Sequence, residues 1–107
     1  MLGPPSPLRI ESITSIHHAS ILLIGEADFA TVDQLDAALA TIGPAETRAV
    51  HLHVAELHFV DAAAMHHLAS FARHVRRLGH NLNTCGASST FTKVARVLHV
   101  HDDLRRP

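Results

Sequence analysis

In the stretch Leu57-His58-Phe59-Val60-Asp61-Ala62-Ala63-Ala64-Met65, an apolar run leads into a side chain suited to starting a helix, and the rest of the fold is read outward from it. Asp61 is a good N-cap, because its carboxylate can accept from free amides of the first turn, and three alanines then propagate the helix well. Met65, Leu68, Ala72, Val75 and Leu78 follow at spacings of three and four and form an inner stripe. Gly79 supplies a stop, so a helix is predicted over 62 to 78. Upstream, Val50, Leu52 and Val54 alternate with His51 and His53. This predicts a half-buried strand over 48 to 54 with both histidines on its other face.

Strand and helix alternate in both directions from there. Toward the C-terminus come a strand at 81 to 85 and a third helix starting around Ser88 or Ser89, predicted over 89 to 99, with Phe91, Val94, Ala95 and Leu98 inside. From His101 to Pro107 the chain reads as a fraying end. Toward the N-terminus a helix is predicted over 31 to 42, opened by a capping box in which Thr31 and Gln34 satisfy each other's amides. Its stripe is Val32, Leu35, Leu39 and Ile42, and Gly43-Pro44 stops it. Ala19 to Ile24 is a continuous apolar run typical of a buried strand, residues 8 to 13 form another, and Ser15 to His18 turn between them. Three prolines within residues 1 to 7 make that segment a loose lead-in. The order predicts an α/β fold, a mixed sheet of about four strands with helices packed against it. A single domain is expected over 8 to 104, followed by a tail at 105 to 107.

The 107 residues suffice for one core. Nine Lys and Arg against ten Asp and Glu leave a formal net charge of −1, without the basic field that nucleic acid requires. No Trp or Tyr and only four Phe are present, too few to build a stacking platform for bases. Cys85 is the sole cysteine, so no intrachain disulfide can form, and neither a signal peptide nor a membrane span is recognisable. A cytoplasmic location is expected.

Two motifs carry a resemblance. Leu23-Ile24-Gly25-Glu26-Ala27-Asp28 is similar to the Leu-x-Gly-Glu-Leu-Asp that opens STAS domains, the family of anti-sigma factor antagonists and sulphate-transporter tails. Leu57 to Met65 resembles that family's apolar-x-Phe-apolar-Asp-Ser-Ser-Gly-Leu segment, at the handover from the third strand to the second helix. The resemblance spans residues 8 to 104 and implies a STAS-like regulatory binding domain without enzymatic activity or cofactor. The implied partner is an anti-sigma factor of the kinase-type ATPase fold, and a homodimer is compatible with it. Residues implied at the partner surface are Gly25, Glu26, Asp28, Thr31, Phe59, Asp61, Ala62, Ala63, Ala64, Met65 and His66. In the family, phosphorylation of the serine after the Asp breaks the complex. Here Ala62 occupies that position and has no hydroxyl, while Ala63 and Ala64 replace the next Ser and Gly. His53 stands where the family often places an Asp, and the chain stops before a final element that many members carry. The same resemblance accommodates an accessory subunit of an ABC-type lipid transporter or a stressosome-like scaffold.

Eleven histidines include two His-x-His pairs, His51 with His53 and His99 with His101. A His-rich metal-binding protein is the rival of another class. No carboxylate or thiol stands at a recognisable ligand spacing beside these pairs, so no metal site is assigned and solvated histidines are expected. His66, His67 and His74 fall outside the apolar stripe and should face water or a partner. Glu26 and Asp28 have neither a pocket nor a nucleophile to make an acid-base pair. The glycines at 3, 25, 43, 79 and 86 match no phosphate-binding loop. Cys85, ending its strand, is expected in the core.

Overall fold

The structure is a computed structural model that describes residues 7–40 and 49–105. The lead-in up to residue 6, Ile42, the Gly43-Pro44 stop and residues 106–107 lie outside the described residues. The elements are β1 (Leu8–Thr14), β2 (His18–Ala27), a 3-10 turn (Phe29–Thr31), α1 (Val32–Leu39), β3 (Ala49–His53), β4 (Leu57–Val60), α2 (Ala62–Arg77), β5 (Asn81–Cys85), α3 (Ser89–Val97) and α4 (His101–Arg105).

The sheet is mixed and runs β1-β2-β3-β5, with β4 on β2. β1 pairs antiparallel with β2 along its whole length, from Leu8↔Gly25 to Thr14↔Ala19, and every other pairing is parallel. The fifth strand corrects the expected count of four. His53 pairs with Leu22 and Leu57 with Gly25, so four steps along one chain face three along the other. The turn between, closed by the Leu57 amide on the Val54 carbonyl at 3.0 Å, absorbs the extra residue and breaks one long edge into β3 and β4.

Alternation along the strands sends one set of side chains to the core. Leu8, Ala19, Ile21, Leu23, Val50, Leu52 and Leu82 are buried there against Met65, Leu68, Ala69, Ala72 and Val75 of α2. The intervening side chains of β2 and β3 are half-buried, so the helices cover a single face. Leu78, expected at the end of the stripe, is 39% exposed: it is the C-cap of α2, one step beyond the turn that packs inward. Leu35 and Leu39 of α1 are buried as the stripe requires.

Gly25 is required by geometry. Its φ is +102°, and a Cβ there would sit 2.1 Å from the Pro7 carbonyl oxygen, the same oxygen that accepts from the Glu26 amide at 2.9 Å. The expected capping box at Thr31 and Gln34 does not form. The chain enters α1 through the tighter 3-10 turn, Thr31 is 4% exposed, and its hydroxyl accepts from the Asp28 amide at 2.9 Å. Gln34 instead donates to the Leu8 carbonyl at 2.7 Å, tying α1 to the edge strand.

The C-terminal end is also corrected, because His101–Arg105 is helical rather than frayed. α3 closes with the Val100 amide on the Ala95 carbonyl and the His99 amide on Arg96, the Schellman pattern, with His99 itself at φ 59°. This turn brings Leu104 to 2% exposure, and Arg73 of α2 holds Asp103 at 2.7 Å.

Two substitutions test this architecture. Leu68→Ala, fully buried in mid-stripe, is expected to destabilise by about 2–4 kcal/mol in chemical denaturation through the cavity it leaves. Gly25→Ala is expected to cost about 1–3 kcal/mol or to displace Pro7, visible as lost amide protection at Glu26. A stable variant with that protection intact would refute the close approach.

Candidate functional site

The C-terminal ends of β2 and β4 and the first turn of α2 meet at one edge of the sheet. Glu26 pairs with Phe59 and Ala27 with Val60, and the Asp61 amide then donates to the Ala27 carbonyl at 3.1 Å. Extended backbone at Asp61 (φ −93°, ψ 179°) turns its side chain back over the helix start. One carboxylate oxygen accepts from the Ala64 amide at 2.9 Å, the N-cap bond expected from the sequence. The other accepts from the Phe29 amide at 2.8 Å, across 32 residues of sequence. Asp61 therefore fixes the exit of β2 and the start of α2 with a single side chain.

The residues singled out in the sequence divide into two sets around that bridge. Glu26, Phe59, Ala62 and His66 are exposed; Gly25, Asp28, Asp61 and Ala63 are half-buried. Thr31, Ala64 and Met65 correct the expectation that they present themselves to a partner. They are 4%, 0% and 0% exposed, because the helix period turns Ala64 and Met65 onto the core and Thr31 closes the turn after Asp28. They hold the surface from beneath. Phe29, which the sequence places only within the β2 exit segment, is 77% exposed and stands beside Asp61, while Phe59 is 50% exposed. Nothing in the local pattern marks Phe29 as solvent-facing, since an aromatic two residues past a strand ordinarily packs inward.

The arrangement offers a preformed contact surface. Both Asp61 oxygens are occupied by backbone amides, and Ala62 presents a methyl group at the helix N-terminus, where free amides favour negative charge. Glu26 and Asp28 lie outside the linings of the two described cavities, which are formed around Thr84, Phe91 and Leu104 and around Leu22, His53 and Glu56. Among the described residues no group of three or more His, Cys, Asp or Glu side chains is assembled to hold a metal. No described helix is long and apolar enough to cross a membrane. A surface hydrogen bond between His67 Nδ1 and Asp36 Oδ1, at 2.9 Å, links α2 to α1; His66 and His74 are exposed, and Cys85 is half-buried rather than in the core.

A sequence model of the STAS domain matches residues 9–106. Among solved structures, the chain is similar to an anti-sigma factor antagonist STAS domain from Rhodobacter sphaeroides, with 21% identity, TM-score 0.65, and coverage of 79% of this chain and 96% of that one. It is also similar to the Bacillus cell fate determinant SpoIIAA in its phosphorylated form, with 20% identity, TM-score 0.68, and 91% and 87% covered. An anti-sigma factor antagonist from Mycobacterium paratuberculosis shares 14% identity at TM-score 0.70, with 96% and 87% covered. At these identities the likeness is one of fold. No curated protein sequence matches the chain.

Asp61→Ala removes both amide acceptors and is expected to destabilise by about 1–3 kcal/mol in urea denaturation. Asp61→Asn keeps capping capacity and should lose less. Equal, negligible losses in the two variants would show that the bridge carries no weight.

Proposed function

The chain belongs to the STAS domain family, and on that premise we propose that it is a regulatory binding module of the anti-sigma factor antagonist kind. It engages an anti-sigma factor of the kinase-type ATPase fold, in the cytoplasm, through the exposed surface at the head of α2. The observation that carries this reading is Asp61-Ala62: a fully engaged cap followed by an exposed methyl group where antagonists of the family carry a phosphorylatable serine. Phe29 and Phe59 flank it as exposed apolar anchors, the side-chain type in which binding energy concentrates.

The physical logic of the family's switch shows what alanine changes. A phosphate at the first helical residue suits the helix, whose free amides present positive potential. It does not suit a partner surface shaped for a hydroxyl, because about −2 charge and a hydrated group must then be accommodated at the interface. Ala62 has no hydroxyl to accept a phosphoryl group, so the surface stays small and neutral. Binding is then constitutive with respect to that modification, and the protein itself performs no reaction.

With the cognate anti-sigma kinase and ATP, the wild-type protein is expected to bind and to gain no phosphate at residue 62 by mass spectrometry. Ala62→Asp should fold with unchanged or slightly raised stability, about 0.3–1 kcal/mol, because an acid in the first turn complements the helix dipole. Its affinity, measured by calorimetry, should fall about tenfold or more, equivalent to about 1.4 kcal/mol, through desolvation of the new carboxylate. Equal affinity would remove the head of α2 from the interface. Co-purification with an ABC-type ATPase, and with no anti-sigma kinase, would select the transporter-accessory reading.

A further inference from the structure

The sheet face turned away from the helices brings together two histidines that the chain order keeps apart. The β2–β3 register sets His18 opposite Ala49 and Ser20 opposite His51, so His18 lies diagonally from His51 on that face. His18 Nδ1 and His51 Nε2 are 3.3 Å apart, with ring centroids at 5.6 Å and planes 17° apart, so the rings meet edge to edge through these nitrogens. His18 is exposed and His51 half-buried. On β3 the His53 ring lies 6.4 Å from that of His51. On β1 the residues opposite Ser20 and Leu22 are Ile13 and Glu11, and the Glu11 carboxylate is engaged by Arg9 at 2.7 Å. On β5 Asn83 stands opposite His51 and Cys85 opposite His53, while His17 precedes His18 in the turn. Among the described residues no carboxylate forms an ion pair with either ring.

Two facing lone pairs at this distance repel, so one of the two nitrogens carries a proton and the other accepts it. A neutral pair has two protons on four ring nitrogens. One lies in the contact and one on the outer nitrogen of the accepting ring, which leaves a single outer lone pair. A third proton goes there without disturbing the contact and strengthens it, because the donor is then an imidazolium. A fourth finds only the inner lone pair, and two N–H groups then meet head to head with a positive charge on each ring. We propose that His18 and His51 share one proton and form a pH-sensitive latch between β2 and β3. It holds in the neutral and the singly charged pair and opens when both rings are charged. The contact therefore contributes stability at neutral pH and loses it as the pH falls. Imidazole is the side chain that changes charge between about pH 5 and 8, so the latch works in mild acid. Opening leaves two positive charges on the open face, beside a β1 pair, Arg9 and Glu11, that is already balanced. This inference is independent of the regulatory reading, because none of its residues belongs to the head of α2.

The test is a double-mutant cycle in urea on the full-length protein, with His18→Ala, His51→Ala and the double variant, at about pH 7.5, 6.5 and 5. At neutral pH the pair is expected to raise the folding equilibrium constant by a factor of about three to ten beyond the separate effects of the two side chains, the worth of one hydrogen bond. The factor should be no smaller at about pH 6.5 and should fall to one or below at about pH 5. A control cycle of His51→Ala with His74→Ala, on the exposed face of α2, should give a factor of about one throughout. A purely structural contact gives the same factor at every pH, and that result would overturn the latch. So would no coupling at neutral pH, or an equal pH-dependent coupling to His74. His18 is exposed, so its replacement decides alone if His51→Ala folds poorly. The stability lost in His18→Ala relative to the wild type must then shrink on acidification, and a constant or growing loss overturns the proposal.

Discussion

Two backbone amides that would otherwise be left without partners, those of Phe29 and Ala64, converge on the carboxylate of Asp61. One belongs to the exit from β2 and the other to the first turn of α2, so a single side chain fixes where the helix begins and how the preceding loop lies against it. Charge-assisted bonds of this kind are stronger than those between neutral groups. The Asp61 amide on Ala27 adds a third tie at the same point. Whatever this surface does, it does with a backbone held in place before any partner arrives.

That rigidity explains the division between the residues that show and those that support. Ala64 and Met65 reach the core because α2 must bury its stripe on the sheet, and Thr31 is enclosed because its hydroxyl completes the turn after Asp28. What remains outside is Ala62, Phe29 and Phe59, with Glu26 and His66 beside them. The one-sided packing has a second result. Since all the helices pack on one face, the polar side chains of β2 and β3 gather on the other, where strand register rather than chain proximity decides which of them meet.

Much of the fold was legible from the sequence because its signals are local. The Asp61 cap, the α2 stripe and the apolar run of β2 each fit within one element, and each forms apart from Leu78 at the end of the stripe. The misreadings come from long-range terms. The Thr31–Gln34 box was a sound local expectation, overridden when Gln34 found the Leu8 carbonyl 26 residues away. The C-terminal helix was missed because α3 turns through a left-handed His99, where a glycine would have announced the turn. β4 depends on a register slip that no single segment encodes. At the candidate site, Asp61 and Ala62 were visible from the motif, whereas the contact of the Phe29 amide with Asp61 spans 32 residues and has no local signal. The pairing of β2 with β3 likewise brings together His18 and His51, whose ring nitrogens are 3.3 Å apart although the residues are 33 apart in the chain.

The Asp61 bridge also bears on how such a protein can change over generations. The bonds that fix the helix start run from the Asp61 carboxylate to the backbone of Phe29 and Ala64, and none of them involves the side chain at residue 62. That exposed position is consequently close to neutral for folding: alanine and serine differ there by a hydroxyl in water and a few tenths of a kcal/mol of helix propensity. A lineage can therefore discard or regain a modifiable residue without passing through an unstable intermediate. Folding stability therefore places little constraint on this position, and a single substitution there is one that selection for stability does not see.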